Sequence, residues 1–236
     1  MRRLLVVGAH SGDFVWRAAG AIGVWTAEGG LARVVALSYG ERGESGELWK
    51  VPEQTVQNVK TIRHREGLKA ADAVGASFEC FDLGDWPLEV SRDSIERLVD
   101  LIRTFEPHVI LTHTPQDPFS ADHGAAYEAV DRARKLAEGA GVSSAFSIAR
   151  PPQLLCFEPH QPEVCGFVPN VFVDISPAFE RKQQAMQAMA AQNYLQIYYA
   201  QRAEHRANQA RRISGDESIR HAEAFQRQLP IVVKSL

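Results

Sequence analysis

The chain has 236 residues, of which 45% are hydrophobic and 23% charged, with a formal net charge of -3. That is material for one substantial core, and the mixed, near-neutral charge gives no basic surface of the kind nucleic acid requires, leaving small molecules as the expected partners. No apolar stretch approaches the roughly 18 residues of a membrane span, and the leader-like start at Arg2 and Arg3 is interrupted by His10 and Asp13.

The three cysteines, Cys80, Cys156 and Cys165, are odd in number and lack metal-knuckle spacing, so no disulfide framework is expected and a cytoplasmic location is. Apolar, β-branched runs alternate with segments of helical period across one domain, residues 1–236, as in an α/β fold with a mostly parallel sheet. Residues 4–8 read as a buried strand, 14–28 as a helix closed by Gly29 and Gly30, and 33–38 as a second strand followed by a polar loop over 39–51. Pro52 is expected to open the next helix, which runs to Val74, and 78–83 form a third strand. Residues 108–112 form a fourth, after which Asp122 is expected to cap a helix over 123–138. Strands over 154–157 and 171–175 follow. From Pro177 onward the chain reads as a polar helical region packed through Met186, Met189, Leu195 and Tyr198, ending in a short apolar run at 231–233.

In open α/β sheets, ligands bind beyond the carboxyl ends of the strands, where loops converge. By that rule His10 and Asp13 follow the first strand, Glu41, Arg42 and Glu44 the second, Asp85 the third, and His113, Asp117 and His123 the fourth. Imidazole and carboxylate suit a divalent metal, whose catalytic sites commonly use three protein ligands and leave one position open. His10, Asp13 and one histidine of the fourth loop supply such a set. His123 is preferred to His113 because it begins a helix facing the crevice. On spacing alone, His10 and Asp13 serve equally well as turn and helix caps, and His123 as a first-turn residue.

The segment Val6-Val7-Gly8-Ala9-His10-Ser11-Gly12-Asp13, the pairs Thr112-His113 and Asp122-His123, and Arg65-Glu66 with Ala70 and Gly75 resemble the PIG-L/LmbE-like zinc N-deacetylase superfamily. The resemblance implies a Rossmann-like three-layer sandwich and Zn²⁺ held by His10, Asp13 and His123. Two positions depart from it. Gly12 stands where the family's general-base aspartate belongs in Ala-His-Pro-Asp-Asp, and Ser120 where His-Pro-Asp-His begins. Glycine cannot accept a proton, so amide hydrolysis loses its base.

A longer match, Ala9-His10-Ser11-Gly12-Asp13-Phe14-Val15-Trp16-Arg17-Ala18-Ala19-Gly20 with Ser38-Tyr39-Gly40-Glu41-Arg42-Gly43-Glu44-Ser45 and Leu48-Trp49, is similar to the 4-oxalomesaconate hydratase branch of the superfamily. It implies hydration of a tricarboxylic oxo acid to 4-carboxy-4-hydroxy-2-oxoadipate in gallate and protocatechuate breakdown, and a homo-oligomer. The alternative is a zinc-dependent N-deacetylase of a small N-acylated compound with a displaced base. Hydration needs a Lewis acid, a base for water and an acid for carbon. Glu44 is the expected base, with Glu41 second and Glu47 third, and His160 the expected acid. Arg42 and Arg17 are the expected contacts of a polycarboxylate substrate, with His113, Lys50 and Arg63 weaker. Glu66 reads as orienting a neighbour or pairing on its helix, Trp16, Trp25 and Trp86 as packing, and Arg202, Arg206, Arg211 and Arg212 as a solvated helix or subunit contact.

Overall fold

The computed structural model describes residues 1–232. At its centre is β1 (Arg3–Gly8), an apolar run whose side chains alternate between two faces. Leu4 and Val6 enter one hydrophobic cluster, Leu5 and Val7 the other. Burial on both faces is what a central parallel strand requires, and it explains the absence of polar residues between Leu4 and Val7.

Around β1 lie β2 (Leu31–Ala36), β3 (Ser77–Cys80), β4 (Val109–Thr112), β5 (Gln153–Phe157), β6 (Val171–Asp174) and β7 (Ala222–Arg227), in the order β3-β2-β1-β4-β5-β7-β6. The first five are parallel, and β7 enters antiparallel between β5 and β6. The sheet is therefore mostly parallel, as the sequence pattern implied. Helices α1 (Asp13–Ala27), α2 (Val56–Ala73) and α5 (Phe179–Ala188) cover the face bearing Leu4 and Val6. Helices α3 (Arg92–Phe105) and α4 (Ala121–Ala137) cover the other, and α6 (Gln196–Ser214) packs along β7.

Three expectations need correction, and one helix lies outside them. Helix α2 starts at Val56, not near Pro52, because the Thr55 hydroxyl accepts the Asn58 N–H at 3.1 Å and a 3-10 turn occupies Leu48–Lys50. Ser120, not Asp122, stands at the cap position of α4. Helix α3 is an addition to the expected elements: Ser91 caps it, and Ile95, Leu98, Val99 and Ile102 bury one stripe of it. The region after Pro177 is not wholly helical: β7 completes the sheet, while Ile231 and Val232 are exposed and outside any element. Val233 lies outside the described residues.

Candidate metal centre and active site

The loops after β1, β2, β4 and β5 converge above the start of α1, bringing His10, Asp13, Glu44, His113, His123 and His160 to one region. The approach of the β2 loop to His10 depends on Gly40, at φ +70°, since a Cβ there would lie 2.8 Å from Glu44 Cβ and 3.1 Å from His10 Cβ. His10, Asp13 and His123 are all buried.

Asp13 is the hub. Its Oδ2 accepts the His10 backbone N–H at 2.7 Å and lies 3.6 Å from His10 Nδ1, while its Oδ1 lies 3.6 Å from His123 Nε2 and pairs with Arg17. Despite burial, the His113 ring and the Arg17 guanidinium hold the Asp13 carboxyl well below its usual range. Both outer nitrogens of the histidines are fixed by carboxylates. His10 Nε2 is 3.1 Å from Asp122 Oδ2, and His123 Nδ1 is 2.7 Å from Asp117 Oδ2. That is the support metal-bound histidines usually have.

The inner nitrogens, His10 Nδ1 and His123 Nε2, are buried and have no hydrogen-bond partner. Such groups are costly unless something binds them. Four-coordinate divalent ions held through nitrogen and oxygen at about 2.0–2.2 Å set neighbouring ligand atoms about 3.3–3.5 Å apart. Asp13 comes within 3.6 Å of each of these two histidines, through Oδ2 toward His10 and Oδ1 toward His123. The donor atoms that gather within 4.8 Å of one another include those of His10, Glu44 and His123 and those of Asp13, His113 and His123. His113 fits less well. Its Nε2 is already engaged, 3.0 Å from the Ala9 N–H and 2.9 Å from Asp13 Oδ2, and burial together with the neighbouring His123 pushes its pKa down to about 3. The charges tell the same story. Burial opposes protonation of His10, yet Asp122, Asp13 and Glu44 around it raise its pKa to about 9, so the pocket is arranged to attract positive charge.

Beside this cluster opens a cavity of about 270 Å³ whose walls include Trp16, Arg17, Glu44, His123, His160 and Tyr199. Glu44 is partly exposed to it and has Oε1 3.7 Å from His10 Nδ1. The His160 ring stacks on Tyr198 at 4.3 Å between centroids, and burial with the charges of Arg17 and Arg202 lowers its pKa. Arg17 reaches the cavity from α1 while holding Asp13, combining the two roles its position allowed.

Other expected residues lie elsewhere. Arg42 is half-exposed, donates to the Asp85 carbonyl at 2.9 Å and is not among the cavity walls. Glu41 is fully buried with neither carboxylate oxygen hydrogen-bonded, Lys60 Nζ lies 3.5 Å from its Oε1, and burial and the Asp85 charge raise its pKa. Lys50 and Glu47 pair with each other at the surface. Arg202 and Arg206 are not a solvated stripe, since both clasp the buried Glu158. Trp16 packs on Tyr199, whereas Trp86 is exposed and lies over Gly43.

Gln192 is the residue sequence reasoning missed. It is 1% exposed, and its Nε2 donates to Glu44 Oε2 at 2.6 Å. Its Oε1 accepts from Arg63 Nη2 at 2.9 Å. Arg63 is fully buried and bound to Glu66, which also accepts the Ala191 N–H at 2.9 Å. The only sequence signal was indirect: a glycine in place of a side chain leaves room that another residue has to fill.

A mostly parallel α/β sheet with a two-histidine, one-aspartate cluster at its carboxyl edge defines a class of proteins built around a candidate divalent-metal site. Within that class the chain belongs to the PIG-L family, whose model, described as GlcNAc-PI de-N-acetylase, matches residues 5–134. A 4-oxalmesaconate hydratase of Pseudomonas putida is 42% identical over 235 residues, covering 98% of this chain and 91% of that protein. The crystal structure of GalB, the 4-carboxy-2-hydroxymuconate hydratase of Pseudomonas putida KT2440, superimposes with a TM-score of 0.97 at 41% identity over 100% of both chains. An N,N'-diacetylchitobiose deacetylase from Pyrococcus horikoshii shares the fold, with a TM-score of 0.79 at 17% identity over 96% of this chain and 84% of that one.

Proposed function

We propose that this protein is a hydratase that adds water across the carbon-carbon double bond of 4-oxalomesaconate to give 4-carboxy-4-hydroxy-2-oxoadipate, in the breakdown of gallate and protocatechuate. The observation that carries this reading is the placement of Glu44 and His160 on the walls of one cavity beside His10, Asp13 and His123, where position 12 offers no carboxylate. The relatives' two substrate names describe keto and enol tautomers of one tricarboxylic skeleton.

Glu44 takes a proton from water as its oxygen bonds to the carbon bearing the carboxyl branch, and His160 delivers a proton to the neighbouring carbon. Arg17 offers a guanidinium to a substrate carboxylate from the cavity wall. His10, Asp13 and His123 would hold Zn²⁺, which when bound supplies a Lewis acid for the negative charge developing on the oxo acid. Tyr199, buried against Arg17 and 3.5 Å from His160 Nδ1, limits how the imidazole turns. The same reading includes a homo-oligomer in the cytoplasm, consistent with three unpaired cysteines among the described residues.

The test follows the ultraviolet absorbance of the conjugated oxo acid with zinc-supplemented protein, alongside Asp13→Ala and Glu44→Ala. Loss of absorbance with the parent, and its abolition in both variants, is the expected result. An inert parent that instead releases acetate from small N-acetyl compounds would replace hydration with deacetylation.

A further inference from the structure

We infer that Gln192 is a positioning residue that determines which carboxylate serves this site, by filling the niche left at Gly12 and holding Glu44 with the amide. The inference rests on the reading of Glu44 as base. A Cβ at Gly12 would lie 2.5 Å from Gln192 Oε1, 3.0 Å from Arg63 Nη2 and 3.1 Å from Trp16 Nε1. Position 12 is therefore not vacant. Its side-chain space is occupied by an amide delivered from between α5 and α6, and any residue larger than glycine displaces that amide.

The backbone is arranged for this delivery. Gln192 takes φ -133° and ψ 31° inside a 3-10 segment, Ala190–Leu195, and so breaks its helical geometry. The amide is then fixed at both ends. Arg63 can only donate, so it selects the orientation in which Oε1 faces the guanidinium and Nε2 faces Glu44. Glu66 accepts from Arg63 on one side and from the Ala191 N–H on the other, and from Arg63 through Gln192 to Glu44 each group donates to the next. A long carboxylate on a loop thereby acquires a defined place 3.7 Å from His10 Nδ1. Reacting groups misplaced by about 1 Å can lose on the order of 100-fold in rate.

Gln192→Glu tests this, because it keeps an acceptor for Arg63 and the same shape but removes the donor to Glu44. With zinc-loaded protein and the absorbance assay, kcat is expected to fall about 10–100-fold while KM stays within about threefold. The melting temperature should stay within a few degrees. Gly12→Ala, which leaves Gln192 and Glu44 intact but expels the amide, should give the same split. The double variant should be no worse than the poorer single, since both substitutions break one contact. If Gln192→Glu does not fold, Gly12→Ala decides. Variants at 12 and 192 that both keep kcat within about twofold of the parent, while Glu44→Gln is inactive, overturn the inference. A Glu44→Gln protein that retains parent turnover overturns the base assignment itself.

Discussion

Asp122→Asn separates a metal-supporting carboxylate from one that only ties down the backbone at Trp86 and Leu88. Asp122 is buried, with Oδ2 3.1 Å from both His10 Nε2 and the Trp86 N–H, and Oδ1 2.8 Å from the Leu88 N–H. Asparagine has one oxygen and one NH₂ in the same space, so either orientation sets a donor against a donor. With the amide nitrogen toward His10, the ring loses its acceptor; with it toward Leu88, the backbone N–H does, and His10 keeps only a neutral partner. Leaving a buried donor unpaired costs about 1–3 kcal/mol, and losing an outer carboxylate behind a metal-bound histidine typically costs about 10–100-fold in metal affinity. At about 2–4 °C per kcal/mol for a chain of this size, the melting temperature should fall by about 2–12 °C. Competition with a chromophoric zinc chelator reads the affinity directly, and thermal unfolding without metal reads the structural cost. A variant that loses stability but binds zinc within about twofold of the parent would refute the assignment and return Asp122 to a purely structural role.

Two further outcomes follow from groups around the site. Lys182 is 1% exposed and donates to Glu223 Oε1 at 2.6 Å and to the Trp16 carbonyl at 2.8 Å, while Glu223 also accepts the Gly20 and Ala21 N–H groups. Lys182→Met strands that carboxylate and should cost about 3 kcal/mol in urea unfolding, at the low end for a broken buried pair because two donors remain. Lys182→Met with Glu223→Gln should recover part of it, and a single-variant loss below about 1 kcal/mol would contradict the reasoning. In the pH profile, burial and the charges of Arg17 and Arg202 lower the His160 pKa from 6.5, and an acid must be protonated to act. The alkaline limb of kcat/KM, which reports the free enzyme, should therefore lie below pH 6.5, and that of kcat higher, because a polyanionic substrate favours the imidazolium. A kcat/KM level up to about pH 8 would remove His160 as the acid.

What the sequence made legible was whatever depends on neighbours in the chain. Residues 4–8 announced a central strand because every side chain there is buried, and His10 and Asp13 lie three apart at its end. The stripe of Ile95, Leu98, Val99 and Ile102 is an equally local pattern, at helical spacing behind the Ser91 cap. Strand β7 was hidden for a physical reason. Its sequence, Ala-Glu-Ala-Phe-Gln-Arg, carries a charge at Glu223 that is buried only because Lys182 and two helix amides meet it. The burial of Arg206 was hidden alike, since its ion pair with Glu158, 48 residues away, leaves no local pattern. Gln192 lies 180 residues from Gly12, and the steric exchange between them exists only in three dimensions.

The place of β7 in the sheet also governs how the molecule opens. β6 hydrogen-bonds only to β7 among the described strands, so β6 has no partner of its own if β7 leaves. The two strands should exchange their amide hydrogens together, as one cooperative unit. Departure of β7 would also withdraw Glu223 from the middle of α1, seven residues beyond Asp13, and unseat Lys182 from the carbonyl of Trp16. The far edge of the sheet thus acts as a latch on the helix that carries the centre, and transient fraying there would loosen metal and substrate contacts without any change at the residues that touch them.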